Sequence, residues 1–391
     1  MTAMPGMSFA TLSAESAPAT SVDHPSVQLQ RHFDGLRNAT VPALRFDLAG
    51  LPFAEWRDTL RPRLRAVLGL PPESEHAPRL LDVWAGEWRE TPDFRWQRLL
   101  LRTEPDLWVP AYFVMPPGAA VAEAGGRLPT VIAVQGHAKD GMRVSVGMLP
   151  PEEYQRTIAE GDRDLALQAV RHGYACLALE MRGFGELRLP QDFAKDAPKS
   201  CPRLVSLAEQ VGQTLMGMRV HDVLAAVEYL QARPEVDGDR LVLTGNSGGG
   251  AVTLFATALD TRIAASVPSC WFGTYAGSMQ LVHHCPCNFI PGLSQLCDVS
   301  DLAGLAAPRP QLIVNGRHDA NHPLKAAEEA WPWTQEIYAA AGAPDAVHWF
   351  VGEGGHRYYA APVWPWLTGA LSLPPSFAQA RYPAAPVLDA V

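Results

Sequence analysis

From residue 129 onward, short runs of apolar residues alternate with longer segments of helical periodicity. Runs of consecutive apolar residues are typical of strands that are buried on both faces of a sheet. Because strands and helices alternate, the pattern predicts an α/β fold with a mostly parallel, twisted sheet and helices on both faces. The predicted strands are 130–134, 174–179, 241–244, 263–267, 311–314 and 348–351, and the clearest helices are 164–172 and 216–230.

The first third of the chain follows a different pattern. Apolar residues at three-to-four spacing predict an amphipathic helix over 51–70, which ends at a Pro-Pro pair. Apolar segments at 99–101 and 108–115 flank a polar turn and predict an antiparallel pair of strands. Residues 1–44 are rich in Ser, Ala, Thr and Pro without periodicity, and they predict a flexible or surface-draped arm. We therefore divide the chain into this arm, a helical and β extension over 45–95, a main domain over 96–372 and a C-terminal tail over 373–391.

The strand predicted over 241–244 runs directly into the sequence Gly-Asn-Ser-Gly-Gly at residues 245–249. This G-x-S-x-G pattern places a serine on a sharp strand-to-helix turn, with its hydroxyl exposed above the sheet. Glycine is expected at Gly245 and Gly249, because a Cβ there would collide with the neighbouring strand and helix. The alternatives are a Gly-rich strand-to-helix loop with no chemistry and a phosphate-binding loop, but the Gly-Lys-Ser/Thr of a phosphate-binding loop does not follow. Ser247 is therefore the candidate nucleophile.

Two candidate partners for this serine follow later strands. Asp319 comes after the strand 311–314, and His356 comes after the strand 348–351. Because ligands bind at the carboxyl ends of strands in such sheets, the chain order Ser, Asp, His predicts a catalytic triad. In a triad, His356 takes the proton of the serine hydroxyl and Asp319 orients the imidazole. The alternatives are a helix-capping role for Asp319 and a surface position for His356.

Other acids and bases in the same region are weaker candidates. His318 and His322 flank Asp319, but neither follows the last strand, so His322 is only a fallback base. Asp345 is a weaker acid candidate than Asp319 because it precedes the last strand.

The segment Gln135-Gly136-His137 follows the strand 130–134 and can aim a backbone N–H at a developing oxyanion. We assign the oxyanion hole to the backbone N–H groups of His137 and Gly248. The His137 side chain has two open roles, packing and contact with substrate. Arg182, which follows the strand 174–179, is predicted to be a buried arginine that ties loops together, with a substrate contact as the alternative.

Two insertions fall on the ligand side of the predicted sheet and should form the walls of the pocket. The first, 187–204, is loop-like and contains three prolines. The second is 269–297, in which Trp271, Phe272 and Tyr275 are the candidates for an apolar side of the pocket.

The second insertion also contains residue types that bind metals. A Cys-x-Cys pair with a nearby His can hold zinc. The spacing fits no structural zinc pattern, however, and adjacent histidines do not easily face one ion. We therefore predict a protein that needs no metal or cofactor, in which the cysteines are buried free thiols or form one disulfide. The residues concerned are His283, His284, Cys285, Cys287 and Cys297.

The composition narrows the function further. The 391 residues carry a net charge of −9 and are 47 % hydrophobic, as expected of a soluble globular protein with a large core. The net negative charge argues against a nucleic-acid partner, because phosphates are bound by basic surfaces. The sequence lacks an apolar run of about 18 residues, so we expect no membrane partner. We expect a cytoplasmic protein because no secretory signal is visible, while an exported mature form and homo-oligomerisation stay open.

These motifs together resemble the α/β-hydrolase superfamily, and within it the acetyl xylan esterase and dienelactone-hydrolase-like branch. The likeness covers roughly the main domain over 96–372. It implies a serine esterase that acts on short acyl esters of carbohydrates or related small molecules. Gln135 and Glu180 depart from the histidine and aspartate of many relatives, and Ser247 departs from the cysteine of true dienelactone hydrolases. The segments that carry the resemblance are 135–137, 182–185, 234–237, 245–249, 316–319 and 355–356.

We therefore predict a serine hydrolase that cleaves a small-molecule carboxylic ester through an acyl-enzyme on Ser247. The expected substrate has a small, acetyl-type acyl group on a sugar-like or other compact alcohol. One alternative is a prolyl-oligopeptidase-like peptidase, although the residues before the main domain are too few for a propeller of several blades. The other alternative is a catalytically silent binding protein of the same fold, although no member of the triad is missing.

Overall fold

The computed structural model describes residues 29–72, 79–118, 121 and 125–381. They divide into two compact units after Val41. In the first unit the described residues form the helix α1 (Leu29–Ala39). No periodic element is predicted from the sequence over 1–44, and α1 corrects this for its own residues. The rest of the predicted arm before residue 29 lies outside the described residues.

The second unit is built, within the described residues, on a nine-stranded sheet. Its strands are β1 (Asp82–Glu90), β2 (Arg95–Glu104), β3 (Leu107–Met115), β4 (Leu128–Val134), β5 (Ala175–Leu179), β6 (Val236–Asn246), β7 (Ile263–Ser269), β8 (Gln311–Gly316) and β9 (Val347–Gly352). Across the sheet they lie in the order β1-β2-β3-β5-β4-β6-β7-β8-β9. The pairs β1-β2, β2-β3 and β3-β5 are antiparallel, and all pairs from β5 to β9 are parallel. The predicted α/β fold is confirmed, as is the predicted antiparallel pair β2-β3.

Helices cover both faces of this sheet. They are α2 (Phe46–Ala49), α3 (Phe53–Val67), α4 (Pro151–Gly161), α5 (Leu165–Arg171), α6 (Pro190–Ala194), α7 (Cys201–Gln210), α8 (Leu215–Gln231), α9 (Gly248–Leu259), α10 (Leu293–Leu296), α11 (Val299–Gly304), α12 (Leu324–Ala340) and α13 (Ala360–Ala370). None of the described helices combines the length and the apolar character that crossing a membrane requires.

The first insertion is more regular than predicted. It was expected to be loop-like because of its prolines, but it contains α6 and the beginning of α7. Pro190 and Pro202 lie in the first turn of these two helices. Proline is well tolerated there, because the N–H that it lacks would have no helical partner. Two of the three prolines therefore mark helix starts, and the third, Pro198, lies in the loop between these helices.

The core explains why the parallel strands are continuously apolar. Every residue of β4 is buried. Ile132 and Val134 pack into the hydrophobic cluster on one face of the sheet, and Val131 and Ala133 pack into the cluster on the other. Because successive side chains of a strand point to opposite faces, both must be apolar when helices cover both faces. The strand ends that carry the candidate residues therefore belong to a sheet that is packed on both faces.

Candidate active site

Ser247 occupies the turn between β6 and α9. Its backbone has φ 58° and ψ −120°, a conformation that L-residues rarely adopt. A Cβ built on Gly245 would lie 2.5 Å from the backbone of Gly249, and one built on Gly249 would collide with the carbonyl oxygen of Val134 on β4. The collisions expected from the sequence are therefore confirmed. The close packing holds the turn in its strained conformation and projects the Ser247 side chain from the sheet.

Asp319 and His356 form a hydrogen-bonded pair. The distance from His356 Nδ1 to Asp319 Oδ2 is 2.7 Å. The other carboxylate oxygen, Oδ1, accepts the backbone N–H groups of Asn321 at 2.8 Å and His322 at 3.1 Å. Burial alone would raise the pKa of Asp319, but the hydrogen bond and charge of His356, with smaller effects of His322 and Asn321, hold that pKa below its ordinary value. Asp319 is therefore a buried carboxylate with both oxygens engaged.

Backbone contacts between the loops after β8 and β9 bring this pair together. The N–H of Arg317 donates to Gly352 O at 2.8 Å, and the N–H of His318 donates to Gly354 O at 2.9 Å. A Cβ on Gly316 would collide with the backbone of Gly355, so glycine is required where the two loops touch. The geometry of the pair is thus fixed by main chain as well as by side chains.

Ser247 and His356 line the same cavity, which has a volume of about 320 Å³. Among the described residues, no hydrogen bond joins the Ser247 hydroxyl to the His356 ring; such contacts often tighten only when substrate binds. The sequence-predicted triad residues therefore meet at one site, with the imidazole held by the carboxylate. The cavity is lined by Gln135, Gly136, His137, Ala138, Arg163, Lys199, Asn246, Ser247, His283, His284, Cys285, Asn288, Asn321, His322 and His356.

The two predicted oxyanion-hole residues lie side by side. A Cβ on Gly136 would come within 3.1 Å of the Ser247 Cβ, so the loop after β4 passes directly over the nucleophile turn. A Cβ on Gly248 would lie 2.9 Å from the His137 ring. In the part of the chain that the structure describes, neither the His137 nor the Gly248 N–H donates to a backbone carbonyl. Both N–H groups are therefore available to a ligand, and their role as an oxyanion hole stays a prediction.

His322, the fallback base, also lines the cavity, but its surroundings disfavour this role. Its ring stacks on that of His356, with centroids 5.8 Å apart. Its Nδ1 lies 3.2 Å from the Ser278 hydroxyl. Burial lowers the pKa of His322 to about 3, so the ring stays neutral at ordinary pH and binds a proton poorly. Asp345, the weaker acid candidate, is exposed and does not line this cavity.

We expect the buried His322 to make the protein less stable as the pH falls. An unfolded histidine binds a proton below about pH 6.5, whereas folded His322 does so only near pH 3. The free energy of unfolding should therefore fall by up to about 1.4 kcal/mol per pH unit between these values. In urea denaturation, the stability difference between wild type and His322→Gln should narrow from pH 7 to pH 5. If the stability difference between wild type and His322→Gln stayed the same from pH 7 to pH 5, folded His322 would not be neutral. The control is His283→Gln, which replaces an exposed histidine of the same cavity.

The aromatic residues of the second insertion do not line the cavity. Trp271, Phe272 and Tyr275 are buried in the hydrophobic core. Trp271 reaches the site only indirectly, because its Nε1–H donates to Asn288 Oδ1 at 3.0 Å, and Asn288 lines the cavity. This corrects the expectation of an apolar aromatic wall. The physical reason is that large apolar side chains on this insertion gain more from packing into the core beneath it.

Arg182 has the loop-tying role predicted for it. Its Nε and Nη2 donate to the two carboxylate oxygens of Asp222, each at 2.8 Å, and Nη2 also contacts Glu104 at 2.5 Å. The side chain is buried and does not line the cavity. Arg182 therefore joins α8 to the loop after β5 and has no contact with the candidate site.

Sequence reasoning missed several residues of the cavity wall. Lys199 and Asn288 come from the two insertions, both of which were correctly expected to form the walls. Arg163 precedes α5 and gave no signal in the sequence. Cys270, which lies near Asp319 and His356, was also missed. Burial raises the pKa of Cys270 to about 12, so its thiol stays protonated and is not a competing nucleophile.

Comparison with known proteins agrees with this architecture. The family model described as acetyl xylan esterase matches residues 154–283, which include the Ser247 turn. "Putative hydrolase YtaP" of Bacillus subtilis (strain 168) is 28 % identical over 250 residues, covering 63 % of this chain and 77 % of that protein.

Solved structures share the fold at low sequence identity. The "putative acetyl xylan esterase" from Bacteroides fragilis NCTC 9343 has a TM-score of 0.67 at 16 % identity, covering 82 % of this chain and 81 % of its own. A glucuronoyl esterase from Solibacter usitatus has a TM-score of 0.59 at 15 % identity, covering 82 % of this chain and 94 % of its own. The sheet order, the sharp Ser247 turn and these matches agree. The chain therefore has the fold of the α/β-hydrolases, and over residues 154–283 it is similar to the acetyl xylan esterase family.

Proposed function

We propose that the chain hydrolyses short-chain acyl esters of compact, polar alcohols such as sugars, through an acyl-enzyme on Ser247. The observation that carries the proposal is the 2.7 Å hydrogen bond from His356 Nδ1 to Asp319 Oδ2, beside the cavity that Ser247 lines. A histidine whose Nδ1 is held by a buried carboxylate can present Nε2 as a base. A serine nucleophile requires such a base, because its hydroxyl is unreactive while protonated.

In the proposed reaction, His356 Nε2 takes the hydroxyl proton as Ser247 Oγ attacks the ester carbonyl carbon. The carbonyl oxygen becomes an oxyanion and accepts hydrogen bonds from the N–H groups of His137 and Gly248. The bond to the alcohol oxygen then breaks, and His356 returns the proton to that oxygen. Water attacks the acyl-enzyme by the same steps and releases the acid. Asp319 stabilises the imidazolium that forms in each half of the reaction.

The chemistry of the cavity supports a compact and polar substrate. Its volume of about 320 Å³ is at the small end for ligand pockets. Gln135, Asn246 and Asn288 contribute amides to its wall, and several imidazoles do the same. A long apolar acyl chain would separate these groups from water without giving them partners, which is costly. The names of the matched family and of the structural relatives, acetyl xylan esterase and glucuronoyl esterase, support a carbohydrate ester.

An ester of a sugar acid is the second candidate substrate. Arg163 and Lys199 both line the cavity, whereas no Asp or Glu is among the described residues that do so. The ester itself is neutral at this carboxyl group, but the sugar carboxylate that its cleavage releases can pair with these two cations. The acetyl ester stays the first candidate because the cavity is small. In an ester of a sugar acid the acyl group is the whole sugar, which needs more room than an acetyl group.

We expect an alkyl fluorophosphonate to form one covalent adduct, on the peptide that contains Ser247. We also expect acetate release from p-nitrophenyl acetate and from an acetylated methyl xyloside, but no cleavage of a peptide p-nitroanilide. Intact-mass and peptide mass spectrometry measure the first result, and coupled assays measure the second. An adduct elsewhere, or cleavage of the anilide alone, would overturn the proposal. Faster release from a methyl uronate ester than from the xyloside would favour the second candidate.

A further inference from the structure

Four metal-binding side chains meet beside the active-site cavity. His137, Cys201, Cys285 and Cys287 place one imidazole nitrogen and three sulfurs within 4.8 Å of one another. The distance from His137 Nε2 to Cys287 Sγ is 3.3 Å. In tetrahedral zinc sites the ion lies about 2.0–2.3 Å from nitrogen and sulfur ligands, which puts the ligand atoms about 3.5–3.8 Å apart. The four atoms are therefore already close to the spacing that one zinc ion requires.

The fold assembles these ligands from three segments that are distant in sequence. His137 comes from the loop after β4, and Cys201 is the first residue of α7. Cys285 directly precedes a short turn of the second insertion, Pro286–Asn288, and Cys287 lies within that turn. Cys201 and Cys287 are almost completely buried. The turn is braced by Asn288, whose backbone N–H donates to Cys285 O at 3.0 Å. The ligands are thus held by ordered elements rather than by free loops.

A buried arginine beside the cluster is an independent indication of negative charge there. Arg219 is 1 % exposed, and its Nη2 lies 3.3 Å from Cys201 Sγ. Its Nε and Nη2 also donate to Arg182 O. Among the described residues, no carboxylate forms an ion pair with Arg219. A buried guanidinium needs a compensating negative charge. Three neutral thiols do not supply one.

We propose that His137, Cys201, Cys285 and Cys287 bind one zinc ion in a closed, tetrahedral site. Three thiolates, a neutral imidazole and Zn²⁺ carry a net charge of about −1, which Arg219 neutralises. Sulfur and imidazole ligands in tetrahedral arrangement favour zinc over magnesium or calcium. This proposal departs from the metal-independent protein that the spacing within the insertion predicted, because two of the ligands lie outside the insertion.

The zinc ion has a structural role in this proposal. All four positions are taken by protein ligands, so none is open for a water or a substrate. The ion ties the second insertion and α7 to the loop that carries the His137 N–H. Removing it should therefore loosen the wall of the cavity and lower the melting temperature, since a ligand bound only by the folded state stabilises that state.

A disulfide is the competing account of the same residues. It would use two of the three sulfurs, and it would leave the third thiol and the imidazole beside Arg219 without a charge to offset the guanidinium. The two accounts differ in a countable property. All six cysteines of the chain are free in the structure, so with the zinc site the denatured, metal-free protein has six free thiols, whereas one disulfide removes two thiols from that number.

The experiment measures the metal content of the full chain, purified without a polyhistidine tag and without chelators. Plasma mass spectrometry should find about one zinc ion per chain. Protein refolded with Co²⁺ should show the strong visible bands of tetrahedral cobalt and thiolate-to-cobalt charge-transfer bands in the near ultraviolet. Neither readout depends on esterase activity, so failure here is distinct from failure of the proposed reaction.

Variants locate the site. Cys285→Ser and Cys201→Ser should reduce the zinc content from about one ion per chain to background. Cys297→Ser, a fully buried cysteine of the same insertion, is the control and should keep its zinc. If a variant of a ligand residue does not fold, the spectrum of the cobalt-loaded wild type still tests whether thiolates bind the metal. Wild-type protein without stoichiometric zinc, cobalt bands without thiolate character, or only four free thiols after denaturation would overturn the proposal.

Discussion

Replacing Ser247 by Ala is expected to lower kcat/KM for p-nitrophenyl acetate by roughly 10⁴-fold or more. The reason is that the acyl-enzyme on this residue cannot form without Oγ. The Cys270 thiol stays protonated, and Cys285, which lines the cavity, is one of the four proposed zinc ligands. The backbone N–H groups of the predicted oxyanion hole are unchanged in this variant, so a small residual rate should persist.

The same variant should be as stable as the wild type. The backbone N–H of Ser247 donates to Ser269 O at 2.8 Å, and its carbonyl accepts the N–H of Ala251 at 3.0 Å. Alanine keeps both bonds and has the same backbone strain. The melting temperature, measured by calorimetry, should therefore change little, and Ser206→Ala on the exposed face of α7 is the matched control for activity. A Ser247→Ala enzyme that keeps more than about a tenth of its activity would exclude the acyl-enzyme on this residue.

The candidate site could be predicted because parallel strands all end at the same edge of the sheet, and its residues directly follow such strands. Ser247, Asp319 and His356 each come a few positions after a buried strand, and parallel strands end at the same edge. The need for glycine at Gly245 and Gly249 arises from the turn itself and the strand beside it, so it could also be predicted from the sequence motif. Placing these three residues at one site required only the positions of the strands along the chain and no knowledge of how side chains pack.

The cavity wall could not be predicted in the same way. Trp271, Phe272 and Tyr275 are aromatic residues on an insertion, and whether they face the cavity or the core depends on how the insertion folds back. The ligands of the proposed zinc site illustrate the same limit. Sequence templates for zinc assume closely spaced ligand pairs, whereas Cys201 lies on a helix of the other insertion and His137 lies near β4. Only the tertiary structure brings them to Cys285 and Cys287.

The strand β1 shows a third kind of limit. The extension over 45–95 was predicted to contain β structure, but no strand was assigned there, although the antiparallel pair next to it was. The strand β1 is an edge strand and most of its residues are exposed, so it lacks the apolar alternation that predicts a strand. Regular structure that is stabilised mainly by backbone hydrogen bonds to one neighbour leaves little trace in the pattern of apolar residues.

Replacing Asp319 by Asn is expected to lower kcat by about 10⁴-fold while the fold is kept. Oδ1 of Asp319 accepts two backbone N–H groups, those of Asn321 and His322. The asparagine must keep its oxygen on these donors, so its NH₂ group faces His356 Nδ1. An NH₂ donor favours the tautomer whose Nδ1 is bare and whose proton sits on Nε2. That tautomer cannot take the proton of the Ser247 hydroxyl.

This orientation makes the Asp319→Asn experiment sharper than an alanine substitution. The variant is isosteric and keeps both backbone hydrogen bonds, so its circular dichroism and its melting temperature should match those of the wild type. Asp345→Asn is the control and should keep full activity, because Asp345 is an exposed acid that lies before β9, the strand that His356 follows. If Asp319→Asn lost less than about tenfold in kcat, the carboxylate would not set the tautomer of the base, and a different partner would have to hold His356. If Asp345→Asn lost activity instead, the acid of the triad would be misassigned.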